Sequence, residues 1–161
     1  MSQDYIEKVK RTFNNAELIP EIIKLIEEGH TVTLQMRGFS MRPFLENNRD
    51  RVLLTKPTYL NIGDAVLAEV SPGKFVIHRI VHIHKDDITL RGDGNILPEH
   101  CTRKDVKGFA LGFYRKGRTK IDKTNSLKWR FYSTIWCSLL PIRKYLLALY
   151  RRLWIPFFGP M

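Results

Sequence analysis

Residues 65–91 read AVLAEVSPGKFVIHRIVHIHKDDITLR, and this stretch decides the fold class. Three runs, Ala65 to Val70, Lys74 to His84 and Asp87 to Arg91, are rich in Val and Ile. Branched side chains of this kind suit a pleated, half-buried surface. Between the runs stand Ser71-Pro72-Gly73 and Lys85-Asp86. Proline presets one turn position and glycine accepts the next, so the first segment predicts a hairpin turn, and the second predicts another.

Working outward, Thr31 to Met36, Arg51 to Thr55 and Val106 to Tyr114 are further strand candidates. Many short strands with turn signals between them predict a mainly-β domain over residues 30–115. Residues 4–28 read instead as helix, broken near Asn14-Asn15, with Leu18, Ile22, Ile23, Leu25 and Ile26 at near-helical spacing and Gly29 as the stop. Pro20 fits the first turn of the second helix. Residues 1–29 are therefore a helical segment whose expected task is packing on the sheet.

The bulk properties narrow the function. A chain of 161 residues with 43% hydrophobic content supports a sizeable core. Cys101 and Cys137 form no disulfide framework and have no metal-ligand spacing, which reads as two free thiols. Met1 to Arg11 is polar and charged, so no secretory signal is expected. Residues 115–161 hold 11 Lys/Arg against Asp122 alone, whereas residues 1–114 hold 16 bases and 15 acids. A near-neutral body with a cationic tail points to an anionic surface as the tail's partner.

The chemistry sits in three short blocks. Gly38-Phe39-Ser40-Met41-Arg42-Pro43 sets a small nucleophile between a flexible glycine and a rigid proline. Serine needs a base within hydrogen-bond reach, and histidine titrates near the working pH. His78 is the candidate base. Asp93, in Gly92-Asp93-Gly94-Asn95, is the candidate that orients it. Each block has a plainer reading: Ser40 as a helix cap, His78 as a structural strand histidine, and Gly92 to Asn95 as a turn. Met41 is expected to pack inward and Pro43 to fix the backbone after the nucleophile. Period two puts Val76, His78, Ile80, His82 and His84 on one face of the strand. His82 and His84 are a feasible ligand pair, but no acidic or cysteine cluster accompanies them, so neither metal nor other cofactor is expected.

Together the blocks resemble the signal peptidase side of the S24/S26 serine peptidase clan, in its Ser/His branch of endoplasmic reticulum and archaeal type. The elements that match are Gly38 to Pro43, Gly63-Asp64, His78-Arg79 and Gly92 to Asn95, over about residues 30–115. The resemblance implies a LexA/signal peptidase-like coiled β-sheet body with the serine at its rim, and an endopeptidase cleaving precursor or leader peptides. It departs at Gly38, where the family commonly has a serine that helps bind the oxyanion, leaving the Ser40 N–H as donor. It departs again at Arg49, where glycine is usual, and at Glu99, which stands where eukaryotic members carry a supporting aspartate. Substrate is expected to bind as an added strand.

Residues 116–161 read as a separable basic, amphipathic helical tail. Trp129, Phe131, Tyr132, Ile135, Trp136, Leu139 and Leu140 are followed by Pro141 and then Tyr145 to Tyr150, with bases interspersed. Arg143-Lys144 interrupts the best spanning window, so the expectation is helices lying in a membrane interface; the plainer reading is a helix packed on the body. No recognised nucleic-acid motif accompanies the charge, so a precursor peptide and an anionic membrane are the expected partners. The basic tail and the missing signal favour the cytoplasmic face, although relatives of this kind act on the outer side. Besides the hydrolase, the sequence leaves open a peptidase-like module that binds peptide or membrane without turnover. A self-cleaving repressor fits less well, because no helix-turn-helix-sized domain precedes the β region.

Overall fold

A computed structural model describes residues 15–161, with side chains from Leu18 onward. One helix, α1 (Asn15–Glu27), precedes the strands β1 (Val32–Gln35), β2 (Arg51–Thr55), β3 (Ala65–Ser71), β4 (Lys74–His84), β5 (Asp87–Arg91), β6 (Glu99–Thr102), β7 (Val106–Tyr114) and β8 (Ile121–Lys123). Then come α2 (Leu127–Ser138), α3 (Arg143–Leu149), a π-helical turn (Tyr150–Trp154) and α4 (Ile155–Phe158). The expected first half of the N-terminal helix lies outside the described residues.

The strands form one antiparallel sheet in the order β1-β2-β7-β3-β4-β5-β6, with β8 paired to β7. The mainly-β reading and both hairpins, β3–β4 and β4–β5, are therefore present. β7 is long enough to serve three partners: Val106 to Phe109 face β3, Gly112 to Tyr114 face β8, and β2 runs along its other edge.

The sheet is buried on both faces at its centre. Ala65 and Leu67 join a core with Ile22 and Ile26 of α1, Met41, Phe44, Val52, Leu54, Phe113 and Trp129. Val66 and Ala68, on alternate positions of the same strand, join a second core with Ile80, Ile88, Leu90 and Val106. Four consecutive apolar residues on β3 are the sequence consequence of that double burial.

Four expectations need correction. Pro20 lies inside α1 rather than in its first turn. The body does not stop at residue 115: β8 completes the sheet, and Trp129 of α2 is 5% exposed within the first core. Beyond α2, the tail is packed in part and not separable throughout, since Leu147 and Tyr150 are buried while Leu149, Leu153, Phe157 and Phe158 stand exposed. Finally, the period-two parity of β4 fails beyond Ile80. A bulge between Ile80 and His82 turns Ile83 to the side of Ile80, so His82 and His84 do not share a face with His78.

Candidate active site

The Ser40 loop leaves the end of β1 and is held by local hydrogen bonds. Gly38 takes φ +81°, and its N–H donates to Asn47 Oδ1 at 2.9 Å. That backbone conformation strains any side chain, which gives a physical reason for glycine where the resembled family has serine. Arg42 N–H donates to Phe39 O at 3.1 Å and Leu45 N–H to Met41 O at 2.9 Å, so Ser40 begins a tight turn rather than capping a helix. Met41 is 2% exposed, in the inward place its sequence implied, and Pro43 is half-buried. Arg42 clamps Glu46 through two bonds of 2.8 and 2.6 Å. The buried Asp50 accepts from Glu46 N–H and Lys116 N–H, each at 2.9 Å, and ties the far end of the loop to the body.

His78 lies on β4 opposite Val66 of β3, with its ring buried. The connection after β5 brings it to the serine. Gly94 N–H donates to the Ser40 carbonyl at 2.7 Å. A Cβ placed on Gly92 would stand 2.3 Å from the Ser40 carbonyl oxygen and 3.0 Å from His78 Nε2. The backbone of Ser40 and the free nitrogen of the histidine thus converge on one point, where only glycine leaves room. Gly94 is equally constrained, because a Cβ there would stand 2.7 Å from Phe39 O. The two glycines of Gly92 to Asn95 let the loop press against the serine turn.

The acid beside His78 is not the one expected. Asp93 is fully buried and gives both carboxylate oxygens to Arg79, at 2.8 and 2.7 Å. Arg79, itself 0% exposed, also donates to Gly63 O and Ser133 Oγ and lies over the rings of Trp129 and Tyr132. Tyr132 OH and Trp136 Nε1 complete the set by donating to Asp93 Oδ2 and to its carbonyl. Asp93 is therefore a structural anchor joining the loop to α2. The carboxylate at the ring is Glu99: its Oε2 lies 2.7 Å from His78 Nδ1, at ion-pair distance, and its Oε1 accepts from Lys74 at 2.8 Å. Asp64, the acid of Gly63-Asp64, accepts from Asn61 N–H and shapes the turn before β3.

The electrostatics suit a base. Burial pushes the His78 pKa below the ordinary histidine range, and the neighbouring Glu99 charge opposes that fall. For Glu99, burial alone would raise the pKa, but the Lys74 hydrogen bond and the His78 charge outweigh it and hold the carboxyl below its usual range. A neutral imidazole with an ionised carboxylate at Nδ1 and its Nε2 beside Gly92 is equipped to accept a proton. His82 and His84 are exposed, and no group of three metal-ligating side chains occurs among the described residues.

A cleft of about 330 Å³ opens at Ser40, with Ser40, Arg42 and Asn95 on the body side and Leu147, Tyr150 and Arg151 on the tail side. The tail's share in the site, and the anchoring of Asp93 by α2, had no signal in the sequence beyond a run of aromatics. The chain matches no protein-family model. Nor does it match a curated protein.

Proposed function

We propose that this chain is a signal peptidase-like serine endopeptidase of LexA/signal peptidase-like fold, cleaving precursor or leader peptides by a Ser/His mechanism at a membrane surface. One observation carries the reading: the Ser40 carbonyl and His78 Nε2 would both touch a single added carbon on Gly92, with Glu99 behind the ring. In the proposed reaction His78 Nε2 takes the Ser40 proton as Oγ attacks the scissile carbonyl. The Ser40 N–H donates to the oxyanion, with Gly38 supplying no hydroxyl. His78 then returns the proton to the leaving amine, and water repeats the cycle on the acyl-enzyme.

The edge of β1, unpaired among the described residues, leads straight into the Ser40 loop and suits an extended substrate strand. The cationic tail with exposed Leu149, Leu153, Phe157 and Phe158 supports attachment to an anionic leaflet, on the cytoplasmic face in this reading. No helix of the described residues is long and apolar enough to cross a membrane.

A second reading, a peptide-binding module without turnover, is favoured by the bare Gly38. Wild-type protein and Ser40→Ala are compared on a signal-peptide-like substrate and with a fluorophosphonate probe. Cleavage and labelling by wild type alone support the hydrolase. Equal cleavage by both removes Ser40 from the chemistry, and wild-type protein that neither cleaves nor labels leaves the binding module.

A further inference from the structure

The tail meets the Ser40 loop with an excess of positive charge. Arg143, Leu147, Tyr150 and Arg151 lie along one side of α3 and the turn that follows, at the spacing that aligns side chains on a helix. Arg143 is 1% exposed; its Nη2 donates to Trp136 O at 2.6 Å, while Nε and Nη1 have no partner among the described residues. Among the described residues, Arg151 Nη2 reaches the Gly94 carbonyl alone, at 3.3 Å. Neither has a carboxylate within ion-pair distance among the described residues.

The facing body offers no spare acid. Glu46 is held by Arg42, Asp93 by Arg79, and Glu99 by Lys74 and His78. Arg91, cross-strand from Arg79, adds a buried Nε without a partner. Guanidinium groups withdrawn from water are costly unless an anion meets them, and their planar fork matches a carboxylate. The cleft beside Ser40 is where an anion can meet Arg151, which is solvent-exposed and lines it together with Leu147 and Tyr150, while Arg143 and Arg91 add positive charge without lining it.

We propose that the cleft between the Ser40 loop and the C-terminal tail is a peptide subsite that selects a substrate carboxylate, with Arg151 reading it. The proposal rests on reading the Ser40 region as peptide-binding, but not on turnover. A peptide is favoured over a lipid headgroup because Arg151 lines the same cleft as Ser40, whereas Leu149, Leu153, Phe157 and Phe158 of the tail are exposed. Leu147 and Tyr150 form the apolar floor next to the charge, so the subsite takes an acidic side chain or a free peptide C-terminus with an apolar neighbour.

The test uses full-length Ser40→Ala protein and a fluorescent acidic dodecapeptide, with a twin in which every Asp and Glu is the amide. Anisotropy at low salt is expected to show the acidic peptide bound about threefold tighter. Arg151→Ala should erase the preference, and Arg151→Glu should invert it. An unchanged preference in Arg151→Glu overturns the proposal. So does a result in which Arg151→Glu weakens binding to phosphatidylglycerol vesicles but not to the peptide, since that makes the cation a membrane contact. Loss of the hydrolase reading with the preference intact leaves the subsite standing. Wild-type cleavage that is indifferent to Arg151 does the reverse.

Discussion

At the scale of single residues, two carboxylates compete for one role, and their surroundings separate them. Asp93 is saturated by Arg79, while Glu99 touches the His78 ring. Asp93→Asn should therefore act on stability: it leaves a buried guanidinium without its counter-charge, at a cost of about 3–5 kcal/mol measured by denaturant unfolding. Glu99→Gln should act on the base. The Glu99 charge is what resists the depression of the His78 pKa by burial, so its removal lets the ring stay neutral to still lower pH. Activity needs neutral His78, so the acid limb of the kcat/KM profile should move down by about one pH unit. The rate at its plateau should fall on the order of 100-fold, because the imidazolium formed in the reaction loses its partner. An acid limb that stays in place would remove Glu99 from the site. Sequence reading had Ser40, His78 and the two loop glycines in view, because each sits in distinctive local surroundings. It placed Asp93 ahead of Glu99 as the partner of His78. Both follow the same strand, and the choice is made by where Arg79, on the opposite face of β4, finds its counter-ion.

At the scale of elements, alternation and turn residues exposed most of the sheet. β2, β4, β5 and β7 occupy the ranges expected of them from the sequence. β6 and β8 escaped notice because Glu99-His100-Cys101-Thr102 and Ile121-Asp122-Lys123 carry no apolar alternation; pairing to β5 and β7 makes them strands. The bulge in β4 is likewise a matter of pairing, with no glycine to announce it. The consequence with most weight concerns α2. Its Trp129 packs against Phe44 and Phe113, at ring-centroid distances of 4.7 and 5.0 Å, and its Ser133, Tyr132 and Trp136 satisfy Arg79 and Asp93. Truncation after Ser126 is therefore expected to cost the fold and not merely an appendage. Trp129→Ala alone should destabilise by about 3–5 kcal/mol in thermal or denaturant melts. Truncation after Leu140 keeps α2 and should leave a cooperative transition. A truncation after Ser126 that melts with wild-type cooperativity would restore the picture of a separable tail.

At the scale of the whole molecule, charge and apolar exposure are sorted to the same end. The body is nearly neutral, and the last 47 residues carry almost all of the net +11. Beyond α2, Leu147 and Tyr150 are turned to the body, while Leu149, Leu153, Phe157 and Phe158 are more than half exposed in the segment that carries Lys144 and Arg152. An outward apolar row flanked by bases is what a helix needs to sit at a lipid headgroup boundary. The bases should set the salt dependence and the aromatics the strength that survives salt. Each base near an anionic leaflet contributes about 1 kcal/mol at low ionic strength and much less once the Debye length shrinks below ~5 Å. Co-sedimentation with phosphatidylglycerol-containing vesicles should therefore fall more than tenfold between low and high salt. Replacing both Phe157 and Phe158 with Ala should weaken binding at every salt concentration while leaving the slope against salt unchanged. Because the same segment walls the Ser40 cleft, membrane attachment would hold that cleft near the surface from which a substrate segment emerges. Equal binding to neutral and anionic vesicles, or none at low salt, would break the link between the tail's charge and a membrane and leave its cations to the cleft alone.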